Sequence, residues 1–227
     1  MAEYTSRSFD LLTLGQLLLR LSPPDNDRLS RGDTFVKQVG GAELNVAVGA
    51  SLLGLRTGVI SKLPSHDIGS FMKGKIRSFG VSDDFFMYDD SPSARVGIYY
   101  YENGAYPRKP KVIYDRMNSS FFSLNIDEIP KEVYTASKCF HTTGITLALS
   151  PQIRETTIEM IKRFKEAGTL VSFDVNFRGN LWSGDEAREC ILKILPYVDI
   201  FFCSEDTARL TFLKTGTAKE MMKSFTE

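Results

Sequence analysis

One short segment combines residue types that can hold hydroxyl groups or an anion. Gly40 and Gly41 precede Asn45 at a point where a loop is expected to enter a helix. Two glycines let the backbone approach a ligand closely, and the free N–H groups of a helix N-terminus, with an asparagine amide, bond to hydroxyls or an anion. A plain turn with glycine at positive φ is the alternative interpretation.

A second polar segment follows an apolar stretch that is typical of a parallel strand. Asp174, Asn176 and Arg178 stand at alternate positions there, and open α/β sheets place ligands beyond the carboxyl ends of their strands. Arg178 offers a planar fork for phosphate or carboxylate oxygens. A loop in which Asp174 and Asn176 make local turns is the alternative.

A third candidate set consists of phenols and one arginine. Strand alternation places Tyr99 and Tyr101 on one face, and Tyr114 and Arg116 together on one face of a partner strand. These groups could converge on a polar ligand. Exposed aromatic pairs that stabilise a two-stranded ribbon, or a dimer contact, are the alternatives.

The composition excludes several classes of function. The chain has 227 residues, with 28 Lys plus Arg and 28 Asp plus Glu, so no net charge draws it to nucleic acid or an anionic membrane. Three cysteines (Cys139, Cys190, Cys203) and two histidines (His66, His141) have no metal-ligand spacing, so we expect no metal site and a reduced, cytoplasmic protein. We expect His141 to be a satisfied core residue and Cys203 to be buried and inert.

No targeting or membrane segment is expected. The apolar run over 9–21 is interrupted by Asp10, Gly15, Gln16 and Arg20, which makes it too short and too polar for a signal peptide or a span.

Alternating strand and helix patterns position these residues. Apolar runs over 9–14, 139–145, 169–176 and 198–203 predict buried parallel strands, and a helix over 42–53 is expected to bury Leu44, Val48 and Leu52. Ser150 with Pro151, and the capping boxes Ser183-x-x-Glu186 and Thr217-x-x-Glu220, predict three further helix starts.

Two β excursions, over about 16–39 and 94–117, leave this alternation and are expected to pair with each other. The predicted fold class is therefore α/β, a Rossmann-type parallel sheet with helices on both faces and a small β-sheet lid. The strand over 198–203 or a neighbouring strand is expected to be an unprotected edge, because no strand follows the last helix.

The motifs together resemble one known family. GGAELNVAVGASLLGL, GIYYYENGAYPRKPKVIYDR and FDVNFRGNLWS, in this order and over essentially the whole chain, resemble the ribokinase-like (PfkB) carbohydrate kinases, and among them 2-keto-3-deoxygluconate kinases. The resemblance implies transfer of a phosphoryl group from ATP, with Mg²⁺, to a hydroxyl of a small sugar or sugar acid. A fructokinase-type ketose kinase is the alternative, and a homo-oligomer formed through the lid or the open sheet edge is a further expectation.

The resemblance also implies roles for individual residues. Those implied to bind the substrate are Gly41, Ala42, Glu43, Asn45, Tyr99, Tyr114, Arg116, Ile145 and Arg178. Arg116 would suit a substrate carboxylate. Those implied to meet nucleotide or phosphate are Asn176, Arg178, Ser204 and Glu205.

Three departures from the family pattern stand beside this likeness. Gln16 follows Gly15 where relatives usually show Gly-Glu, which is expected to weaken a polar contact at the lid hinge. Ser204 to Thr207 replaces an Asn-x-x-Glu motif. The Gly-Ala-Gly-Asp motif, which carries the family's general base and anion hole, is expected beyond residue 227, so 1–227 is interpreted as one incomplete domain without a catalytic base.

That absence leaves three hypotheses. The chain is interpreted first as part of an active kinase, second as a non-catalytic binder of sugar acids, and third as a structural remnant that needs a partner chain to cover its open edge.

Overall fold

The apolar run at the start of the chain forms the central strand of a parallel sheet, as its composition predicts. The architecture is taken from a computed structural model, which describes residues 7–226. The strands are β1 Phe9–Leu14, β2 Leu18–Ser22, β3 Val36–Gly40, β4 Thr57–Pro64, β5 Val81–Ser82, β6 Phe86–Asp89, β7 Gly97–Glu102, β8 Lys111–Asp115, β9 Ser137–Thr143, β10 Leu170–Asp174 and β11 Ile200–Phe202.

Helices alternate with the strands of this sheet, and their starts follow the predicted caps. Ser150 accepts a hydrogen bond from the N–H of Ile153, with Pro151 in the first turn, and the capping boxes that begin at Ser183 and Thr217 are both formed. The helices are α1 Ala42–Leu52, α2 Asp67–Arg77, α3 Val133–Ala136, α4 Gly144–Ala148, α5 Pro151–Glu166, α6 Gly184–Ile194, α7 Glu205–Leu210 and α8 Ala218–Lys223.

The order of the main sheet is β11-β10-β9-β1-β4-β5, with β6 also paired to β4, and every pairing in it is parallel. β5 and β6 are short strands that the sequence pattern did not reveal. Because the chain leaves β1 towards β4 on one side and later returns to β9 on the other, the strand order reverses between β1 and β9. The carboxyl ends of two such strands form the crevice in which open α/β sheets bind ligands.

The two excursions pair, as expected, into a second sheet of order β3-β2-β7-β8. β2 and β7 run parallel in its centre, and β3 and β8 flank them antiparallel. This sheet, the lid, is joined to the main sheet by the three residues between β1 and β2 and by the turn between β3 and α1.

The expected buried face of α1 is wrong in part. Leu44 and Ala47 are buried, whereas Leu52 is 76% exposed. Residues four apart on a helix differ by roughly 40° in direction, so two such steps carry Leu52 well away from the face of Leu44. The small side chain of Ala47 lies instead between the helix and the sheet.

β11 is an edge strand of the main sheet, as predicted, but its flank is partly covered. Phe225, which follows α8, packs on Phe201 of β11 with ring centroids 5.0 Å apart and on Phe212 at 5.1 Å.

Cys203 is half-buried, whereas the sequence predicted a buried residue. Burial raises the pKa of its thiol to about 11, which keeps the thiol protonated. Among residues 7–226 we find no helix with the length and apolarity that crossing a membrane requires.

His141 lies in the core on β9, as predicted, and is 4% exposed. Its Nδ1 is 2.9 Å from Ser172 Oγ, while its Nε2 has no hydrogen-bond partner among the described residues, so the side chain is only half satisfied. Burial lowers the pKa of this imidazole from 6.5 to about 4, because a charged ring would lose its hydration.

The unfolded chain therefore binds one proton more than the folded chain between about pH 6.5 and pH 4. We expect the free energy of unfolding to fall by up to about 3 kcal/mol as the pH drops through that window. The His141→Asn variant should lose this part of the pH dependence in urea titrations. His66→Asn, at an exposed helix cap, is the control and should keep it; equal slopes in all three proteins would contradict the prediction.

Candidate active site

A pocket of about 370 Å³ opens at the point where the strand order reverses, between the main sheet and the lid. Five parts of the chain line it: the exit of β1, the start of α1, the lid, the start of α4, and the segment after β10. It brings together ten of the residues that sequence reasoning selected, namely Gly41, Ala42, Glu43, Asn45, Tyr99, Tyr114, Arg116, Ile145, Asn176 and Arg178.

Gly41, the second residue of the glycine pair, serves both the turn into α1 and the pocket. Gly41 has φ 153°, and a Cβ at that position would lie 2.8 Å from the backbone oxygen of Gln16. A side chain is therefore excluded where α1 begins. The N-cap, Gly41, offers no side chain to cap this helix. The start of α1 and the exposed side chain of Asn45 line the pocket.

The carboxyl group of Glu43 is buried beneath the pocket, at 2% exposure. Its Oε1 accepts hydrogen bonds from the hydroxyls of Thr143, at 2.6 Å, and Thr146, at 2.7 Å. A Cβ on Gly15 would lie 2.2 Å from Oε2. Burial raises the pKa of this carboxyl, against the opposing effect of the two hydroxyls. Glu43 thus holds three chain segments together at the base of the site.

Gln16 is bonded at both ends of its side chain, and the expected weakening of a polar contact at the lid hinge relative to glutamate stays a prediction. Its Nε2 donates to the backbone oxygen of Arg116 at 2.9 Å and to Ser119 Oγ at 2.7 Å, and its Oε1 accepts from Arg116 Nε at 2.8 Å. The amide therefore ties the exit of β1 to the end of the second lid excursion.

The lid tyrosines and Arg116 converge as the alternation predicts. Tyr99 and Tyr114 are cross-strand partners with ring centroids 5.9 Å apart, and the Arg116 guanidinium lies 5.7 Å from the Tyr114 ring centroid. The cross-strand contact of the alternative interpretation is present, and all three side chains also line the pocket.

The polar segment after β10 forms a local turn that still faces the pocket. Asp174 Oδ1 accepts from the backbone N–H of Asn176 at 3.1 Å, and Asn176 has φ 36°, a conformation that asparagine tolerates better than most residues. Burial raises the pKa of Asp174. Asp174 is thus a support for the turn, while Asn176 and Arg178 line the pocket.

Ser204 and Glu205 lie apart from this set. Ser204 caps α7 by accepting from the N–H of Thr207, and Glu205 pairs with Arg209 at 2.7 Å. Glu205 lines a second, largely apolar cavity of about 770 Å³ beside β11. Their nucleotide-binding role stays a prediction.

Sequence reasoning missed some residues of the site. Gln16, Leu18, Asn180 and Leu181 also line the pocket, and the threonines that hold Glu43 were not selected. Among residues 7–226, no group of three or more His, Cys, Asp or Glu side chains could hold a metal ion.

The fold and the pocket define an α/β protein with a polar pocket beneath a β-sheet lid. Comparison with known proteins identifies its family: the description "pfkB family carbohydrate kinase" matches residues 8–227. The chain belongs to the pfkB family of carbohydrate kinases.

Individual relatives support the same assignment. The chain is 38% identical to a 2-dehydro-3-deoxygalactonokinase of Haloferax volcanii over 209 residues, which cover 92% of this chain and 65% of the relative. The crystal structure of a 2-dehydro-3-deoxygluconokinase from Thermotoga maritima superposes with a TM-score of 0.89 at 30% identity, covering 96% of this chain and 69% of that one.

A third relative carries a nucleotide. An uncharacterised sugar kinase from Pyrococcus horikoshii, solved in complex with ATP, matches with a TM-score of 0.78 at 25% identity, over 89% of this chain and 66% of that one. The chain thus spans about two-thirds of the length of these relatives, and 65% of the Haloferax protein.

The contact between Gly15 and Glu43 yields a stability prediction. The added Cβ of Gly15→Ala would overlap the carboxyl group of Glu43, and two threonines keep that group from moving away. We therefore expect a loss of roughly 1 to 3 kcal/mol in the free energy of unfolding. Gly49→Ala, in α1 with no atom within 4 Å of the added Cβ, is the matched control and should gain roughly 0.5 to 1 kcal/mol. Urea unfolding measures both; a Gly15→Ala variant as stable as the wild type would rule out this packing role.

Proposed function

We propose that this chain forms the sugar-binding part of an ATP-dependent kinase for a sugar acid, 2-keto-3-deoxygluconate or a related compound. The observation that carries the proposal is the guanidinium of Arg116. It lines the pocket, and among the described residues only Gln16 contacts it by a hydrogen bond, through Nε. Its two terminal amino groups have the spacing that a carboxylate accepts in a bidentate pair.

The rest of the pocket suits the hydroxyl groups of such a ligand. Asn45 and the first N–H groups of α1 approach from one side, and the phenols of Tyr99 and Tyr114 from the lid. A tyrosine hydroxyl can donate and accept, and an asparagine amide does both. Ile145 adds an apolar contact at the start of α4.

The segment that follows β10 lines one side of the pocket, and its residues suit the phosphoryl group that is transferred. Arg178 is a permanent cation with a forked donor geometry, and Asn176 adds an amide beside it. Such groups stabilise the negative charge that is spread over a phosphoryl group during transfer. ATP would supply this group, and these two residues would meet its terminal phosphate.

Mg²⁺ is not assigned to side chains of the described residues. They contain no group of three or more ligands for it. Magnesium in kinases is commonly held by one or two carboxylates together with the nucleotide phosphates.

Removal of the proton from the sugar hydroxyl requires a base. Of the described residues that line the pocket, Glu43 alone has a carboxyl group, and that group is buried and bonded to two threonines. We therefore propose that the chain by itself binds the sugar acid without phosphorylating it, and that transfer needs a base supplied by further sequence of a complete kinase.

Calorimetric titration of the purified chain tests the proposal directly. We expect heat of binding with 2-keto-3-deoxygluconate and weaker binding with fructose, and no product in a coupled ATP assay. Tighter binding of fructose would favour a ketose kinase instead. No response to either sugar would overturn the sugar-binding proposal, and turnover of ATP would overturn the claim that the chain alone is inactive.

The carboxylate role of Arg116 makes a separate prediction. Arg116→Ala should weaken binding of the sugar acid by roughly 2 to 4 kcal/mol, because the ligand carboxylate would be desolvated without a partner, and should spare a neutral sugar. Lys111→Ala, which removes a charge from the far end of the lid strand that Arg116 follows, is the control and should change neither affinity. Equal losses for both sugars in Arg116→Ala would refute the carboxylate role.

A further inference from the structure

The buried carboxyl group of Glu43 faces the lid arginine, and the sugar-binding proposal gives it no part in ligand binding. Glu43 is 2% exposed, yet it lines the pocket together with Arg116. The two charges attract each other, and each favours the ionised form of the other against the cost of burial. The positive charge of Arg116 is therefore partly balanced before any ligand binds.

The hydrogen bonds of Glu43 are compatible with both of its protonation states. Its two hydroxyl donors, Thr143 at 2.6 Å and Thr146 at 2.7 Å, bond to the same oxygen, Oε1. A protonated carboxyl group keeps one oxygen as an acceptor, so Oε2 can take up a hydrogen while both hydroxyl bonds remain. Burial favours this neutral form and raises the pKa of the group. A proton can thus be added without breaking the network at the base of the pocket.

An anionic ligand would change the charge balance around Glu43. A carboxylate that pairs with the terminal amino groups of Arg116 neutralises the cation that favours ionised Glu43, and it brings a second negative charge into the same pocket. Both effects make the ionised form of Glu43 less favourable. Charges in partly buried sites are screened little by salt, so the effect persists at ordinary ionic strength. A neutral ligand has neither effect.

We propose that binding of a sugar acid at Arg116 is coupled to the uptake of a proton by Glu43, which makes the affinity of the pocket for anionic ligands depend on pH. The proton comes from the buffer, and the carboxylate of the ligand then replaces that of Glu43 as the negative partner of the guanidinium. Glu43 acts through Arg116 and is a positioning residue in this role. The inference rests on the proposed function, because it assumes that the pocket receives a sugar acid.

Other titratable groups face Glu43 from the lid and from β9. Tyr99 and Tyr114 line the pocket from the lid, and burial raises the pKa of Tyr99. His141 lies on β9, two residues before Thr143. Burial lowers the pKa of this imidazole to about 4, so it is neutral in the range above the ordinary pKa of a glutamate, where Glu43 gains its proton.

The segment after β10 carries the nearest competitor for the proton, the carboxyl group of Asp174. Burial raises its pKa as well, and the cation that opposes this rise is Arg178 rather than Arg116. An effect that Arg116 transmits should therefore reach Glu43 and leave Asp174 unchanged. The exit of β1 and the start of α4 contribute Gln16 and Thr146, which have no ionisable group.

Calorimetric titration in buffers of different ionisation enthalpy counts the protons that are taken up on binding. The wild type is titrated from about pH 5 to pH 9 with 2-keto-3-deoxygluconate and with its carboxamide, a neutral ligand of the same shape. The acid itself stays ionised in this range, because the oxygen on its neighbouring carbon withdraws electrons. We expect uptake with the acid that passes through a maximum of about 0.3 to 0.8 proton, and none with the carboxamide.

The sign of the pH dependence follows from this uptake. A ligand that binds together with a proton binds more tightly as the pH falls, by at most about tenfold per pH unit for one proton. Below the pKa of Glu43 in the free protein the group is already protonated, and above its pKa in the complex it stays ionised. The affinity for the acid should therefore be constant on both sides of that window, with the tighter binding on the acidic side.

Glu43→Gln imitates the protonated state. Its amide keeps an oxygen for the two threonine hydroxyls and cannot ionise, so the proton uptake should be lost. On the alkaline side of the window this variant should bind the acid about 3- to 30-fold more tightly than the wild type, and the carboxamide within about 3-fold. Asp174→Asn removes the competing carboxyl group, keeps the oxygen that supports the turn, and should retain the uptake. Thermal melting confirms that each variant is folded.

The outcomes separate the two levels of inference. An acid that binds the wild type without proton uptake at any pH would overturn the coupling with the proposed function intact, and this result needs no variant. Uptake that persists in folded Glu43→Gln, or that disappears in folded Asp174→Asn, would also overturn it. Weaker binding of acid and carboxamide alike in Glu43→Gln, as expected of a merely structural residue, would do the same. A wild type that binds neither ligand would refute the proposed function and this inference together.

Discussion

The buried carboxyl group of Glu43 is the interaction on which the site depends. It comes from the start of α1, lies against Gly15 at the exit of β1, and accepts two hydroxyl hydrogen bonds from the junction of β9 and α4. Those three segments meet where the strand order of the main sheet reverses. Because a buried carboxyl without partners would be costly, the network holds the floor of the pocket in one arrangement.

The lid is attached to that floor by a second buried polar contact. Gln16 follows Gly15 directly, so the residues that fix Glu43 and Arg116 are neighbours in the chain. In this short connection between β1 and β2, Gly15 lies against Glu43 of the α/β part, and Gln16 bonds Arg116 of the lid. The position of Arg116 relative to Asn45 and Arg178 is therefore set by two contacts at a single strand exit, and the ligand chemistry of the pocket follows from them.

Local signals predicted much of the fold. The helix caps at Ser150, Ser183 and Thr217 are formed, since a cap depends on residues within four positions of one another. The central strands were recognisable as apolar runs. Leu52 was misassigned because residues four apart drift by roughly 40° around a helix, so that Ala47 lies on the buried face and Leu52 does not. The two-residue strand β5 carries too few residues for any periodicity.

The sequence by itself determined the order of the elements, the residue types available for chemistry and, through the combined motifs, the family. Ten of the residues that it singled out line one pocket: seven follow strand ends or begin helices that a parallel sheet brings to one edge, and three belong to the lid. Only the tertiary structure decided which of them face the pocket and which support the others.

Glu43 bonds to Thr143 across 100 residues, and Gln16 to Arg116 across the same separation. No local pattern encodes such pairs, because they form only after the sheet order and the lid have brought distant segments together.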